Sequence, residues 1–188
     1  MINSIKRFLR DESGLLLAEA LILLPLLIWG FMALFVYWDV FRSINVSQKA
    51  AYSISDLMSR QAVVTPQFVD GMQDVLNFLT AGSPQAKLRI TSLQYNGATD
   101  QYELLFSRSP GGKMAAHTQA TIQNLRSRIP VMSTLDSVVI VETEVDYNPS
   151  FNTGVLNVAA GVTAQTFTQF IVTRPRFWRR VCMTACPI

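Results

Sequence analysis

The chain has 188 residues, 49% of them apolar, and its mean hydropathy is positive, which is high for a soluble protein and natural for one with a single membrane span. Its net charge of +3 is too mild for an electrostatic grip on nucleic acid, and it falls to +2 without the first fourteen residues, because Lys6, Arg7 and Arg10 leave with Asp11 and Glu12. If about fifty residues form one N-terminal helix, roughly 130 remain, enough for one small domain with its own core.

Residues 15–38 are apolar except for one charge, Glu19. About 20 apolar residues cross a bilayer core, so this run is long enough to span with some tilt. It is too long for the apolar part of a secretory signal, and no small-residue cleavage site follows Val36-Tyr37-Trp38-Asp39. Trp29, Tyr37 and Trp38 are partly placed for an interfacial aromatic belt. Three bases precede the span, while Arg42 and Lys49 follow it, an asymmetry that favours a cytoplasmic N-terminus. No Gly or Pro lies between Phe31 and Val64, so nothing stops a helix there. Beyond Trp38 the pattern turns amphipathic, with Val40, Ile44, Ala51, Ile54 and Met58 at helical spacing. One helix from near Leu15 to about Gln61 is expected, on the order of 70 Å long. Pro25 and Gly30 interrupt its first half, either as an ordinary kink or as a flexible point.

Thr65 and Pro66 read as the N-cap and first residue of a second helix, with Phe68, Met72, Val75, Leu76 and Leu79 inward and Gly82 as its stop. Residues 87–95 read as a strand whose alternation shifts between Ile90 and Leu93, the mark of a bulge. Asn96-Gly97 opens a turn, and Tyr102, Leu104 and Phe106 supply one face of the returning strand. Residues 107–113 read as a loop and His117 to Arg128 as a short helix, with Ile122, Leu125 and Ile129 inward and Pro130 as stop. Val138 to Tyr147 is the clearest strand, with Val139, Val141, Val145 and Tyr147 on one face. Asn148 to Ala160 reads as a turn-rich connection and Thr166 to Thr173 as the last strand. No internal repeat is visible. This order predicts an α+β fold with an antiparallel sheet behind the long helix.

Enzyme signatures are missing: there is no nucleophile-elbow, zinc-protease or phosphate-loop motif. Glu142, Glu144 and Asp146 fall on one face of a strand. Such a row can bind calcium or act as acid and base, but a solvated sheet face is the simpler expectation, with ion pairing to Arg174 or Arg176 between the two. His117, the only histidine, has no acid at useful sequence spacing and reads as a surface or cap residue. Cys182 and Cys186 are either two free thiols or, if that end lies outside the cytoplasm, a disulfide closing a very short loop. They leave a metal's coordination sphere half empty, so no metal or other cofactor is expected. Arg174, Arg176, Phe177 and Trp178, with Arg179 and Arg180, form a basic cluster with aromatic interleaving, suited to docking a partner subunit, to anionic lipid, or merely to ending a strand.

One acid five residues past Gly14, at the mouth of a membrane-length run and behind a short basic leader, needs a reason, because a carboxylate there is costly. With Arg7-Phe8-Leu9-Arg10-Asp11-Glu12-Ser13-Gly14, then Leu15-Leu16-Leu17-Ala18-Glu19 and Leu24-Pro25-Leu26-Leu27, the pattern resembles the TadE/TadG-like minor pseudopilins of the tight-adherence (Tad/Flp) type IV pilus system. The resemblance is strongest over residues 7–60, with a weaker echo in Arg174-Pro175-Arg176. It implies a leader (1–14), a transmembrane and amphipathic helix (15–62) and a small pilin-like periplasmic α+β domain (63–188). It implies cleavage between Gly14 and Leu15 by a prepilin peptidase, with Glu19 and Pro25 serving subunit assembly. The implied partners are other minor pseudopilins, the major Flp pilin and the inner-membrane pilus assembly platform. The implied location is the bacterial inner membrane, single-pass with the N-terminus cytoplasmic, with or without incorporation into the pilus. Ala20 departs from the major Flp pilins, where a tyrosine follows the key glutamate, and the chain is too short for the von Willebrand-like domain of larger members. The rival expectation is a signal-anchored periplasmic binding or sensor domain, and a third is a membrane-tethered hydrolase working through Glu142 or Glu144.

Overall fold

The computed structural model describes residues 13–80, 86–149 and 163–183, with side chains from Glu19 onward. Residues 1–12, Gly82, Gly154, Gly161 and Cys186 therefore lie outside the described residues. The chain divides into two compact units, one holding the helix as far as Val40, the other running from Phe41 to Asn148 and resuming at Ala164.

Helix α1 covers Ser13–Ser59 and continues through Pro25 as a single element. It begins two residues before Leu15 and ends short of Gln61. In the first unit its large apolar residues face outward: Leu21, Leu27, Phe31 and Leu34 are all exposed. An apolar surface of this extent has no stable place in water. In the second unit the same helix becomes amphipathic, burying Ala50, Ala51, Ile54 and Met58.

A two-residue strand β1 (Val63–Val64) follows, then helix α2 (Pro66–Leu79). Thr65 caps α2 by accepting from the Phe68 amide at 3.2 Å, and Pro66 opens it, as expected. The inward face is centred on Val69, Met72, Gln73 and Leu76, with Phe68 and Val75 half-buried beside them. Leu79, the last residue of α2, is exposed instead of inward. Thr80 caps the end, its amide and hydroxyl both donating to the Leu76 carbonyl.

Strands β2 (Lys87–Asn96), β3 (Gln101–Arg108), β4 (Ser137–Tyr147) and β5 (Gln165–Thr173) form an antiparallel sheet in the order β3-β2-β4-β5. A register shift falls at the expected place, between Ser92 and Leu93 in the β2–β3 ladder, but the expected bulge is not in β2, which runs unbroken against β4 from Lys87 to Gln94. Ser92 pairs with Phe106 and Leu93 with Leu104, so the extra residue is Leu105 on β3. One inserted residue reverses the faces of a period-two strand. Phe106 therefore joins the core on one side of the sheet while Tyr102 and Leu104 join the core on the other. The three do not share a face.

Both sheet faces are covered. Leu88, Ile90, Val139 and Val141 pack against Ile54 and Met58 of α1 and Leu76 of α2. Leu93, Val138 and Ile140 pack against Ile122, Ile129 and Met132. The segment expected as one helix from His117 to Arg128 is instead a five-residue α3 (Gln119–Gln123) and a 3-10 turn at Arg126–Arg128. A capping box between Thr118 and Thr121 starts α3. Residues 110–112 also form a 3-10 turn. Gly97 is required by close approach, since a Cβ there would run into Thr134 Oγ1.

The expected last strand is not the last. After β5 a short β6 (Cys182–Met183) pairs in parallel with β1, Val63 opposite Cys182 and Val64 opposite Met183. Nearby, the Arg176 amide donates to the Ser59 carbonyl at 2.8 Å.

Candidate functional site

Three groups of residues bear on function. The first is the start of α1. The Gly14–Leu15 bond lies within the helix, and Glu19 is exposed at the beginning of the apolar segment. Pro25 sits within that segment. These positions share one helix.

The second is the basic segment after β5. Phe177 and Trp178 are exposed. Arg174 and Arg176 do not reach the acids of β4. Arg174 pairs with Asp136 at 3.4 Å and Arg176 with Asp56 of α1 at 2.7 Å. The segment is fastened by its backbone: the Arg179 carbonyl accepts from Ser137 Oγ at 2.5 Å and the Val181 carbonyl from Ser92 Oγ at 2.7 Å. Cys182 is disulfide-bonded, and Cys186 lies outside the described residues.

The third group overturns two expectations. Glu142 is not on a solvated face: its side chain is about 10% exposed. The β2–β4 register places Arg89 directly opposite Glu142, and Lys87 opposite Glu144. Arg89 grips the Glu142 carboxylate with two parallel bonds, Nε to Oε2 at 2.7 Å and Nη2 to Oε1 at 2.8 Å, and donates through Nη1 to the Ala115 carbonyl at 2.6 Å. Planar two-point contact is the strongest form of this pair. His117 is not at the surface either. Its Nε2 lies 3.0 Å from Glu142 Oε2, its Nδ1 lies 3.2 Å from Thr121 Oγ1, and its side chain is 10% exposed. No sequence spacing announces this, since 25 residues separate His117 from Glu142 and only strand register brings them together. The cluster ties the 113–118 connection to the sheet. Lys87 binds Glu144 at 3.0 Å, and this partner holds its ammonium above the usual lysine value. Asp146 accepts from Thr166 Oγ1 at 2.6 Å. Each acid of the row is thus engaged by a neighbour. Among the described residues no group of His, Cys, Asp and Glu is arranged to hold a metal.

At the β2–β3 turn, Asp100 accepts from Arg126 at 2.5 Å and from the Tyr95 hydroxyl at 2.6 Å. The guanidinium first, then the phenol, hold its carboxyl below the usual aspartate value, while the Tyr95 hydroxyl is held above its own. A depressed carboxyl contributes stability above its unfolded pKa and loses it as pH falls through the lower folded value. The loss therefore falls on the acid side of the ordinary aspartate value, 3.8. A carboxyl NMR titration should place Asp100 below the usual aspartate value, and Arg126→Gln should raise it. An unmoved Asp100 in that variant would refute the pairing.

Fold and site together define an α+β protein: a long apolar N-terminal helix, which is a candidate membrane span, then a domain built on a four-strand antiparallel sheet. A single such helix near the N-terminus suits a membrane anchor or a signal sequence. Comparison with family models, curated proteins and solved structures gives no match to this chain.

Proposed function

We propose that the chain is a minor pseudopilin that supports assembly or initiation of a Tad/Flp-type adhesion pilus and acts as the substrate of a prepilin peptidase, not as an enzyme. The observation that carries the reading is α1: one helix, Ser13–Ser59, whose first half exposes apolar side chains around a single acid and whose last turns are core of an α+β domain. A filament subunit needs both properties in one element, an apolar segment that can move from lipid into a polymer and a continuation that is part of its own domain's core.

The chemistry of Glu19 follows from this. Cleavage after Gly14 gives Leu15 a positively charged amino group. When subunits stack, the Glu19 carboxylate in the apolar core neutralises a neighbour's amino group. An unpaired charge there costs several kcal/mol, so pairing enforces register between subunits. The domain stays outside the membrane and contacts other minor pseudopilins, the major pilin or the assembly platform. The resemblance over residues 7–60 supports the same reading.

The test is intact-mass and N-terminal analysis of protein from its native host. The expected mature chain begins at Leu15, and Gly14→Ala or removal of the prepilin peptidase leaves it starting at Met1. Glu19→Gln should still be cleaved but fail to support pili. A chain that begins at Met1 in cells with active peptidase would overturn the reading in favour of a signal-anchored binding or sensor domain.

A further inference from the structure

The turn between β2 and β3 holds the only Asn-Gly pair of the chain, Asn96-Gly97. Asn96 is the last residue of β2, paired across the ladder with Gln101, and Gly97 is exposed at the turn. Packing imposes the glycine, because a Cβ there would meet Thr134 Oγ1. The backbone nitrogen that follows Asn96 is therefore flanked by no side chain of its own residue and is open to close approach.

The Asn96 carboxamide is held at both ends. Its Oδ1 accepts from the Ala98 amide at 3.0 Å, and its Nδ2 donates to Glu103 Oε1 at 2.7 Å. The first bond spans Gly97 and closes a ring that contains both the Asn96 Cγ and the Gly97 nitrogen. It folds the side chain back towards its own main chain. It also sets a donor on the oxygen where negative charge develops when Cγ is attacked, which is where a fixed donor lowers a barrier.

We propose that Asn96-Gly97 is a self-modifying site, at which the folded protein converts Asn96 to aspartate and isoaspartate with time. The Gly97 nitrogen attacks Asn96 Cγ and gives its proton to solvent, while Nδ2 takes up a proton and leaves as ammonia. One carbon–nitrogen bond forms, another breaks, and a cyclic succinimide remains. Solvent water, present at this exposed turn, then opens the ring. Attack at Cγ restores the ordinary linkage as aspartate, and attack at the main-chain carbonyl leaves the chain running through Cγ as isoaspartate. The net change is one water in and one ammonia out.

The product alters the turn. Where the amide donated to Glu103, a carboxylate faces a carboxylate, and like charges set against each other across a strand pair are destabilising. The isoaspartyl form also adds a main-chain carbon at the last rung of the β2–β3 ladder. That rung adjoins the contacts by which Tyr95 and Arg126 hold Asp100.

The experiment incubates the full chain in a mild detergent at mildly alkaline pH and follows it by peptide mass mapping. An isoaspartyl-specific methyltransferase is the probe of the abnormal linkage. A gain of about 1 Da is expected on the peptide that holds residue 96, with methyl acceptance rising in step. Asn77 and Asn124, followed by Phe78 and Leu125, should lag by about tenfold or more, because a side chain on the next residue hinders the approach. Asn96→Gln should abolish methyl acceptance at this turn. Hydrogen exchange of the Ala98 amide should quicken about threefold to fivefold in the modified fraction, the range of one like-charge pair. In Glu103→Gln the modification should proceed while the quickening shrinks. Modification seen only in urea would overturn the proposal, since the native turn would then be protecting Asn96. So would modification at Asn77 or Asn124 as fast as at Asn96, or methyl acceptance that persists at the turn in Asn96→Gln. Every readout concerns the β2–β3 turn alone, so this inference and the pilus reading can fail separately.

Discussion

Replacing Arg89 with methionine is expected to cost the domain about 3 kcal/mol, because removing one partner of a buried pair leaves the other charge uncompensated. Glu142 would keep a carboxylate at a site where its side chain is about 10% exposed. It would hold only His117 from the cluster, and Ala115 would lose the bond that Arg89 Nη1 makes to its carbonyl. The double variant Arg89→Met with Glu142→Leu should recover most of the loss, since a buried pair exchanged for apolar side chains of similar size is often neutral. Chemical denaturation of the full chain in detergent reads both numbers. A single-variant loss below about 1 kcal/mol, the range of exposed pairs, would mean that water reaches the cluster.

The second large effect is expected at Ile54. It is fully buried on the inner face of α1, in the cluster that also holds Leu88, Ile90, Val139 and Val141. Truncating a buried isoleucine to alanine removes its transfer energy and leaves a cavity, together about 2–5 kcal/mol. Leu27→Ala, on the same helix but exposed, should leave the unfolding midpoint of the domain where it is. The pair of variants separates two parts of one helix: domain core at Ile54, exposed apolar surface at Leu27. Equal effects at both sites would contradict that division.

The long helix was legible because its signals are local. Phe31 to Val64 has no breaker, and Thr65-Pro66 restarts the chain with an N-cap and a first-turn proline. The bulge was placed on the wrong strand: β2 changes its apolar phase between Ile90 and Leu93 because Ile90 faces one core and Leu93 the other, while the strand itself runs regularly against β4. The extra residue falls on β3 at Leu105, in a run whose own alternation from Tyr102 to Phe106 continues unbroken in sequence. His117 and Glu142 escaped for a similar reason. Nothing near His117 suggests an acid, and Glu142 meets Arg89 only through the β2–β4 register. The short α3 escaped because apolar spacing at Ile122, Leu125 and Ile129 fits a longer helix, while the chain turns at Asn124 into a 3-10 segment. Two-residue strands such as β1 and β6 carry too few side chains for any periodicity.

The pairing of Val63 with Cys182 has a consequence for biosynthesis. Roughly 120 residues separate the two, so closing that loop is entropically among the costliest steps of folding. The exit from the first helix is sealed by residues that the ribosome adds about 120 positions later. A chain translated or exported from its N-terminus must therefore keep the start of its domain waiting until Cys182 and Met183 arrive. A truncation that removes residues 176–183 deletes the seam that holds the helix end in place.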